Sequence, residues 1–104
     1  MATASATSQA AGIVSFATGS YTSDNTATVV TLGFNARYVL VHNSTDTITW
    51  QKLEGMAAAN TIKDVSGTKT TDTGSAILLN TDKTITISST AGGNAKAISW
   101  AAWA

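Results

Sequence analysis

The segment GFNARYVLVHN, residues 33–43, decides the fold of this chain. It predicts a turn followed by an apolar strand over 37–42, and a second strand is predicted over 47–52. In the second strand Ile48 and Trp50 share one face, while the intervening threonines and glutamine share the other, as in a half-buried strand. Two such strands joined by a tight turn indicate an antiparallel β framework.

Strand periodicity separates the inner residues from the outer ones. The strand over 37–42 is apolar on both faces, so we expect it to be central in its sheet or covered on its outer side. In the strand over 84–88, Ile85 and Ile87 point inward. Trp100 and Trp103 are three positions apart in the last strand and therefore lie on opposite faces. We expect Trp100 in the core and Trp103 outside it.

Eight short strands, spaced about ten residues apart, follow the first dozen residues. They are predicted over 13–16, 27–32, 37–42, 47–52, 62–65, 76–79, 84–88 and 97–103. Clusters of turn-forming residues separate them at 23–25, 43–46, 65–67, 80–82 and 92–94. The one helical candidate is a single turn over 55–60. This pattern predicts an all-β fold, a single-domain antiparallel β-sandwich of jelly-roll type.

The chain divides into an arm and one domain. A length of 104 residues suffices for one core that buries roughly two thirds of the unfolded surface. Residues 1–12 are mostly alanine, serine and threonine, which have little to bury against the entropy cost of ordering, so we expect a flexible N-terminal arm. A short alanine-rich helix is the competing interpretation. The β-sandwich domain is predicted over 13–104.

Charge and composition exclude several classes of partner. Charged residues make up 12% of the chain, and six basic side chains balance six acidic ones. The basic residues are spread along the whole sequence, so they do not form the dense stripe that nucleic acid or an anionic membrane needs. Nineteen threonines and eighteen alanines give a neutral, hydroxyl-rich surface instead. A net charge of zero favours association between copies.

The sequence lacks the signals of several other classes. It has no cysteine, which excludes disulfides and thiolate metal sites, and it has no proline. The first residues carry neither the basic nor the apolar region of a secretory signal. No segment reaches the roughly 18 consecutive apolar residues of a membrane span. We expect a protein made in the cytoplasm that stays there until it joins an assembly.

Few residues offer chemistry. His42 is the sole histidine, and no serine or acidic residue at a motif spacing supports it, so we expect neither catalytic residues nor a metal site. The aspartates lie mostly in turns, where they cap the backbone, and a calcium site built from two loops is the alternative. The segment 67–70 resembles the end of a phosphate-binding loop but is predicted to be a hairpin turn. The glycosylation pattern at 43–45 is likewise interpreted as a turn.

Threonine rows and Trp103 are the remaining surface candidates. Four T-x-T pairs place hydroxyls on one sheet face, which would suit sugar, ordered water or a neighbouring subunit, although threonine's strand propensity alone produces such rows. They are Thr26/Thr28, Thr47/Thr49, Thr71/Thr73 and Thr84/Thr86. Trp103 is either an aromatic residue at the rim of the sandwich or the anchor of a contact with another subunit.

One block of the chain carries a family resemblance. A glycine-aromatic turn, an arginine, an apolar strand, a tryptophan, a Gly-Met step and a tryptophan in the last strand stand in this order. The block resembles small structural proteins of tailed bacteriophages and prophages, those of the head decoration kind. The residues of this structural motif are Gly33, Phe34, Arg37, Trp50, Gly55, Met56 and Trp100. Relatives commonly carry proline where Ala36 stands here.

The resemblance implies a non-enzymatic virion component without cofactor. It suggests a capsid decoration or cement protein on the capsid surface, whose partner is the major capsid protein of the same virion. We expect a homo-oligomer, with a trimer favoured, because Trp103 and a neutral β surface suit a symmetric contact. The assembly residues are then Trp103 together with residues of the arm: Ala2, Thr3, Ser5, Thr7 and Gln9.

Two other classes of function remain open. The first is a receptor- or glycan-binding module of a tail or head fibre, with Trp50, Tyr38 or Trp103 as the aromatic platform and Asn43 and Asp46 as nearby polar groups. The second and weaker one is an enzyme.

Overall fold

In the computed structural model, residues 15–104 are described, and they form two antiparallel β-sheets that pack face to face. Nine strands of this range are β1 Phe16–Asp24, β2 Thr28–Thr31, β3 Tyr38–Asn43, β4 Ile48–Leu53, β5 Thr61–Val65, β6 Thr68–Asp72, β7 Ile77–Leu79, β8 Thr84–Ile87 and β9 Asn94–Trp103. One short helix, α1 Ser89–Gly92, precedes β9. The predicted all-β sandwich is confirmed.

The two sheets differ in size. The larger sheet has six strands in the order β1-β9-β3-β4-β5-β6, and the smaller has three in the order β2-β8-β7. Strand β3 lies inside the larger sheet between β9 and β4, as its two apolar faces predict. The C-terminal strand β9 is inserted between β1 and β3. The first and last described strands are therefore neighbours.

The core lies between the sheets. Val39 and Val41 of β3 are fully buried, and Trp50 of β4, directly opposite Val41, is 2% exposed. From the smaller sheet Ile85 and Ile87 are fully buried, which confirms their predicted orientation. These side chains belong to one apolar cluster.

Trp100 packs against the core over a glycine. Gly19 of β1 is directly opposite Trp100 of β9. A Cβ atom built on Gly19 would lie 2.6 Å from Cζ2 of the Trp100 indole, closer than any real contact. The absence of a side chain at Gly19 therefore lets the indole lie across β1. The predicted opposite faces of Trp100 and Trp103 are confirmed, since Trp100 packs on the core and Trp103 contacts residues of the outer face.

Strand β1 extends well beyond the predicted strand. The sequence predicts a strand over 13–16, of which residues 13 and 14 lie outside the described residues, whereas β1 runs from Phe16 to Asp24. The inward position Gly19 is small because the Trp100 indole occupies the space that a side chain there would need. An apolar pattern is absent for this reason, and hydrophobic periodicity misses the strand.

Strand β6 was not predicted at all. Its sequence TKTTD contains no apolar residue, and four of its five residues are exposed. It forms because Ser66 and Gly67, with φ values of 52° and 85°, make a two-residue turn that returns the chain along β5. Such a turn matches the twist of a hairpin. Backbone pairing, rather than burial, forms this strand.

The helical turn was also predicted at the wrong place. Residues 55–60 form turns, and the only helix of residues 15–104 is α1. Ser88 caps α1, because its hydroxyl oxygen accepts a hydrogen bond from the Thr90 amide. The sequence signal for α1 is Ser88, followed by a short run that ends in Gly92 and Gly93.

The loop over 54–60 is organised by a buried lysine. Lys52 is 3% exposed, and its Nζ donates hydrogen bonds to the carbonyl oxygens of Ala57, Ala58 and Asn60 at 2.6, 3.1 and 2.7 Å. Burial lowers the pKa of Lys52, because removal from water disfavours the charged ammonium. All three N–H donors of the ammonium group are used, so it binds the loop at three carbonyl oxygens.

Replacing Gly19 with alanine should displace the Trp100 indole and cost about 1–3 kcal/mol of unfolding free energy, as overpacking does. Gly92→Ala is the matched control, because a Cβ there meets its nearest atoms at an ordinary 3.5 Å. Denaturant midpoints of the two variants measure the difference. Equal midpoints would contradict the packing of Trp100 over Gly19.

Lys52→Met should destabilise the domain by about 2–4 kcal/mol, since it leaves three carbonyl oxygens without their charged donor. Lys69→Met, on the exposed strand β6, should change the unfolding free energy by less than about 0.5 kcal/mol. Thermal or denaturant unfolding of both variants tests this. A Lys52 variant as stable as the Lys69 variant would overturn the role given to the ammonium.

Candidate functional site

His42 lies among hydroxyl-bearing neighbours on the larger sheet. Nδ1 of His42 lies 3.0 Å from the Thr49 hydroxyl oxygen, and the cross-strand neighbours of His42 are Thr49 and Ser99. No group of three histidine, aspartate or glutamate side chains within residues 15–104 is placed to hold a metal ion. His42 is thus a polar residue of β3 whose cross-strand neighbours both carry hydroxyls.

The aspartates cap turns, as predicted. Asp64 accepts a hydrogen bond from the Gly67 amide at 3.0 Å, and Asp72 accepts one from Gly74 at 3.0 Å. The hydroxyl and amide of Thr26 donate to Asp24 and lower the pKa of its carboxyl group. Asp46 accepts from Asn43 and from Lys96, each at 3.1 Å. Asp24, Asp64 and Asp72 are therefore engaged within their own turns, whereas Asp46 also binds Lys96 of β9.

A cleft of about 410 Å³ opens beside Lys52 and offers little chemistry. Its walls include Met56, Leu78 and Asn80. The Lys52 ammonium is bound to three carbonyl oxygens, and the Asn80 amide nitrogen donates to the hydroxyls of Thr84 and Thr86 at 3.1 and 2.9 Å. These polar groups are occupied within the chain. The cleft is therefore a weak candidate for a substrate site.

The most distinctive surface is a row of large apolar residues across the larger sheet. Phe16, Trp103, Tyr38 and Leu53 stand directly opposite one another on β1, β9, β3 and β4. The Trp103 ring lies 5.2 Å from the Phe16 ring and 5.0 Å from the Tyr38 ring, between centroids. Phe16 is 51% exposed and Leu53 is 42% exposed. We call these four residues the aromatic row.

The aromatic row borders an uncharged surface. The next two rows continue across the same strands with small, apolar or neutral polar residues. They are Thr18, Ala101, Leu40 and Gln51, followed by Ser20, Ser99, His42 and Thr49. None of these positions carries an aspartate, glutamate, lysine or arginine. We call these three rows the outer face.

An ion pair between Arg37 and Glu54 lies beside the aromatic row. The Arg37 amide donates to the Trp103 carbonyl oxygen at 2.7 Å, and the Glu54 amide donates to the Arg37 carbonyl oxygen at 2.8 Å. The Arg37 and Glu54 side chains approach to 3.6 Å while half or more exposed, so their ion pair adds little stability. The backbone contacts fix the end of β9, and with it the position of Trp103.

The residues of the sequence motif serve the fold. Gly33 and Gly55 have φ values of 85° and 97°, which suit glycine in tight turns. Phe34 and Trp100 pack against the core, and Trp50 belongs to it. Met56 accepts a hydrogen bond from the Leu53 amide through its sulfur, at 3.4 Å. The motif therefore builds turns and core, and Arg37 supports the neighbouring aromatic row.

The predicted assembly residues fall into two groups. Trp103 lies at the centre of the aromatic row, with Phe16 on one side and Tyr38 on the other. The arm residues Ala2, Thr3, Ser5, Thr7 and Gln9 lie outside the described residues.

Two residues of the glycan-binding alternative are wrongly placed for that role. Trp50 and Asn43 are each 2% exposed, so neither reaches a sugar. Asn43 instead holds the turn after β3, because its side-chain oxygen accepts from the Asp46 amide at 2.9 Å. The same burial excludes Asn43 as a glycosylation acceptor in the folded domain. Tyr38 and Trp103 remain on the outer face.

Phe16 and Leu53 were missed by sequence reasoning. Each lies at one end of its strand, and the local pattern does not show that both become neighbours of the Trp103–Tyr38 pair. Their position depends on the register of four strands from distant parts of the chain. One threonine row has a clear partner, since Thr84 and Thr86 bind the Asn80 side chain.

No family model, characterised protein or solved structure matches this chain. Within residues 15–104, none of the helical segments has the length and apolar character needed to traverse a bilayer. The function is therefore inferred from the geometry described above and from the sequence resemblance.

Trp50→Ala should cost about 3–5 kcal/mol of unfolding free energy, because it leaves a cavity in the core. Trp103→Ala should cost only about 1–2 kcal/mol, mainly from the lost contacts with Phe16 and Tyr38. Denaturant unfolding at low protein concentration measures both. A greater loss at Trp103 than at Trp50 would reverse the assignment of the inner and outer faces.

Proposed function

We propose that this chain is a non-enzymatic structural protein of a bacteriophage particle, a decoration or cement protein that binds the assembled capsid. The observation that carries the proposal is the uncharged outer face with its aromatic row. Exposed apolar patches with aromatic residues are typical of protein contact surfaces. The resemblance of the sequence motif to phage structural proteins suggests that the partner assembly is a phage capsid.

The proposed mechanism is stabilisation by mass action. A protein that binds the assembled shell, but not the free capsid subunits, shifts the equilibrium away from disassembly. When the free concentration of the protein is one hundred times its dissociation constant, each occupied site stabilises the assembled shell by about 2.7 kcal/mol. Such a role requires a stable domain and contact surfaces, and it requires no catalytic group. The major capsid protein of the same virion is the proposed partner.

Glycan binding by a fibre module is the second candidate, supported by the adjacent rings of Tyr38 and Trp103. The Trp103 plane is inclined by 63° to Tyr38 and by 45° to Phe16. The three rings therefore do not form one flat platform on which a sugar chain could stack. The arrangement suits a contoured protein partner better.

Capsids assembled from the head genes of the genome that encodes this chain, but lacking this protein, provide the test. The purified protein should co-sediment with these capsids at a saturating ratio and raise their melting temperature. Unassembled capsid subunits are the matched control, because a cement protein binds them much more weakly. Absence of co-sedimentation would refute the proposal, and binding to host glycan on an array would then favour the fibre module.

A chain without residues 2–11 belongs in the same experiment. The sequence-based expectation for the arm is that this truncated chain melts at the same temperature as the full chain and binds the capsid more weakly. Equal affinity would remove the arm from the mechanism while leaving the decoration role intact.

A further inference from the structure

We propose that the outer face is the contact surface between two copies of this chain, whose six-stranded sheets pack face to face about a two-fold axis. The biological purpose of this dimer rests on the proposed function. Its physical basis is separate, since it depends only on the residues of the outer face.

The first support is charge. On β1, β9, β3 and β4 the three rows of the outer face contain no aspartate, glutamate, lysine or arginine. Two identical faces therefore meet without repulsion between like charges, and no unpaired charge loses its water. By contrast, the exposed strand β6 carries Lys69 and Asp72. Two pairs of opposite charges border the outer face. One is the exposed Arg37–Glu54 ion pair beside the aromatic row, and the other is Asp64 and Lys69, cross-strand neighbours on β5 and β6 that continue the row of Thr49. Each pair is neutral in sum.

The second support is the apolar content of the face. Phe16 and Leu53 are about half exposed at the two ends of the aromatic row, and Trp103 lies between Phe16 and Tyr38. Leu40 and Ala101 extend the apolar area into the second row. Aromatic residues in the middle of a patch are the usual anchors of a protein contact. An identical face offers a matching set of anchors.

The third support is area. Six strands about 4.8 Å apart, crossed by seven residues at about 3.4 Å each, give the larger sheet a face of roughly 600 Å² in projection. Protruding side chains raise its accessible area above this value. A standard protein interface buries about 800 Å² on each partner. The whole sheet face therefore reaches the lower limit for a specific interface, about 600 Å² per partner, and the four strands of the outer face supply roughly two thirds of it.

The geometry points to a dimer in place of the trimer expected from the sequence. When a surface is covered by an identical surface, the contact is isologous and is complete with two copies. A trimer needs two different complementary patches on each copy. Sheets that pack face to face lie about 10 Å apart with strands inclined by about 30°, which a twisted six-stranded sheet accommodates.

Sedimentation equilibrium of the protein alone, over a wide range of concentrations, tests the inference. The full chain has a mass of 10.6 kDa and should sediment as a dimer of twice that mass. Phe16→Lys introduces a charge into the outer face and should raise the dimer dissociation constant at least about tenfold. Val29→Lys is the matched control, because Val29 is 62% exposed on the other sheet. It should leave the dimer intact.

Circular dichroism and thermal melting of both variants, at concentrations where the full chain is monomeric, show that each is folded. A monomeric full chain at the highest concentration would overturn the inference, and so would equal dissociation constants for the two variants. Capsid binding is measured separately. A dimer that binds no capsid would leave this inference standing and refute the proposed function, whereas a monomer that binds capsids would do the reverse.

Discussion

Strand β3 is apolar on both faces, and this constraint shapes both the core and the surface. On its inner face Val39 and Val41 are fully buried beneath the smaller sheet. On its outer face Tyr38 and Leu40 receive only partial cover from their cross-strand neighbours. Each Å² of apolar surface left in water forgoes about 25 cal/mol. The inner face thus explains why the two sheets pack together, and the outer face explains why an apolar surface remains partly exposed.

The sequence predicts the faces of the strands better than their ends. Alternation correctly orients Ile48 and Trp50, and it separates Trp100 from Trp103, because burial on one face leaves a local pattern. Strand β6 leaves no such pattern, since it is formed by pairing with β5 through a tight turn. Strand β1 shows no apolar alternation for another reason, since its inward Gly19 makes room for the Trp100 indole of β9. Neither cause is visible within the segment itself.

The candidate site shows the same division. Trp103 can be selected from the sequence because it is large and lies on the face opposite Trp100. The aromatic row cannot, since it requires the register of four strands whose residues come from positions 16 to 103. Lys52 is a further example, because a lysine next to Trp50 in a half-buried strand gives no sign that three carbonyl oxygens will enclose its ammonium group.

The insertion of β9 between β1 and β3 has a consequence for how the molecule is made. The larger sheet is continuous only when the ten residues of β9 are in place, and their partners in β1 lie 70 to 87 positions earlier in the chain. Contacts of this sequence separation slow folding because a long loop must close first. Until β9 has been synthesised, β1 and β3 therefore lack the strand that pairs with both of them in the folded domain.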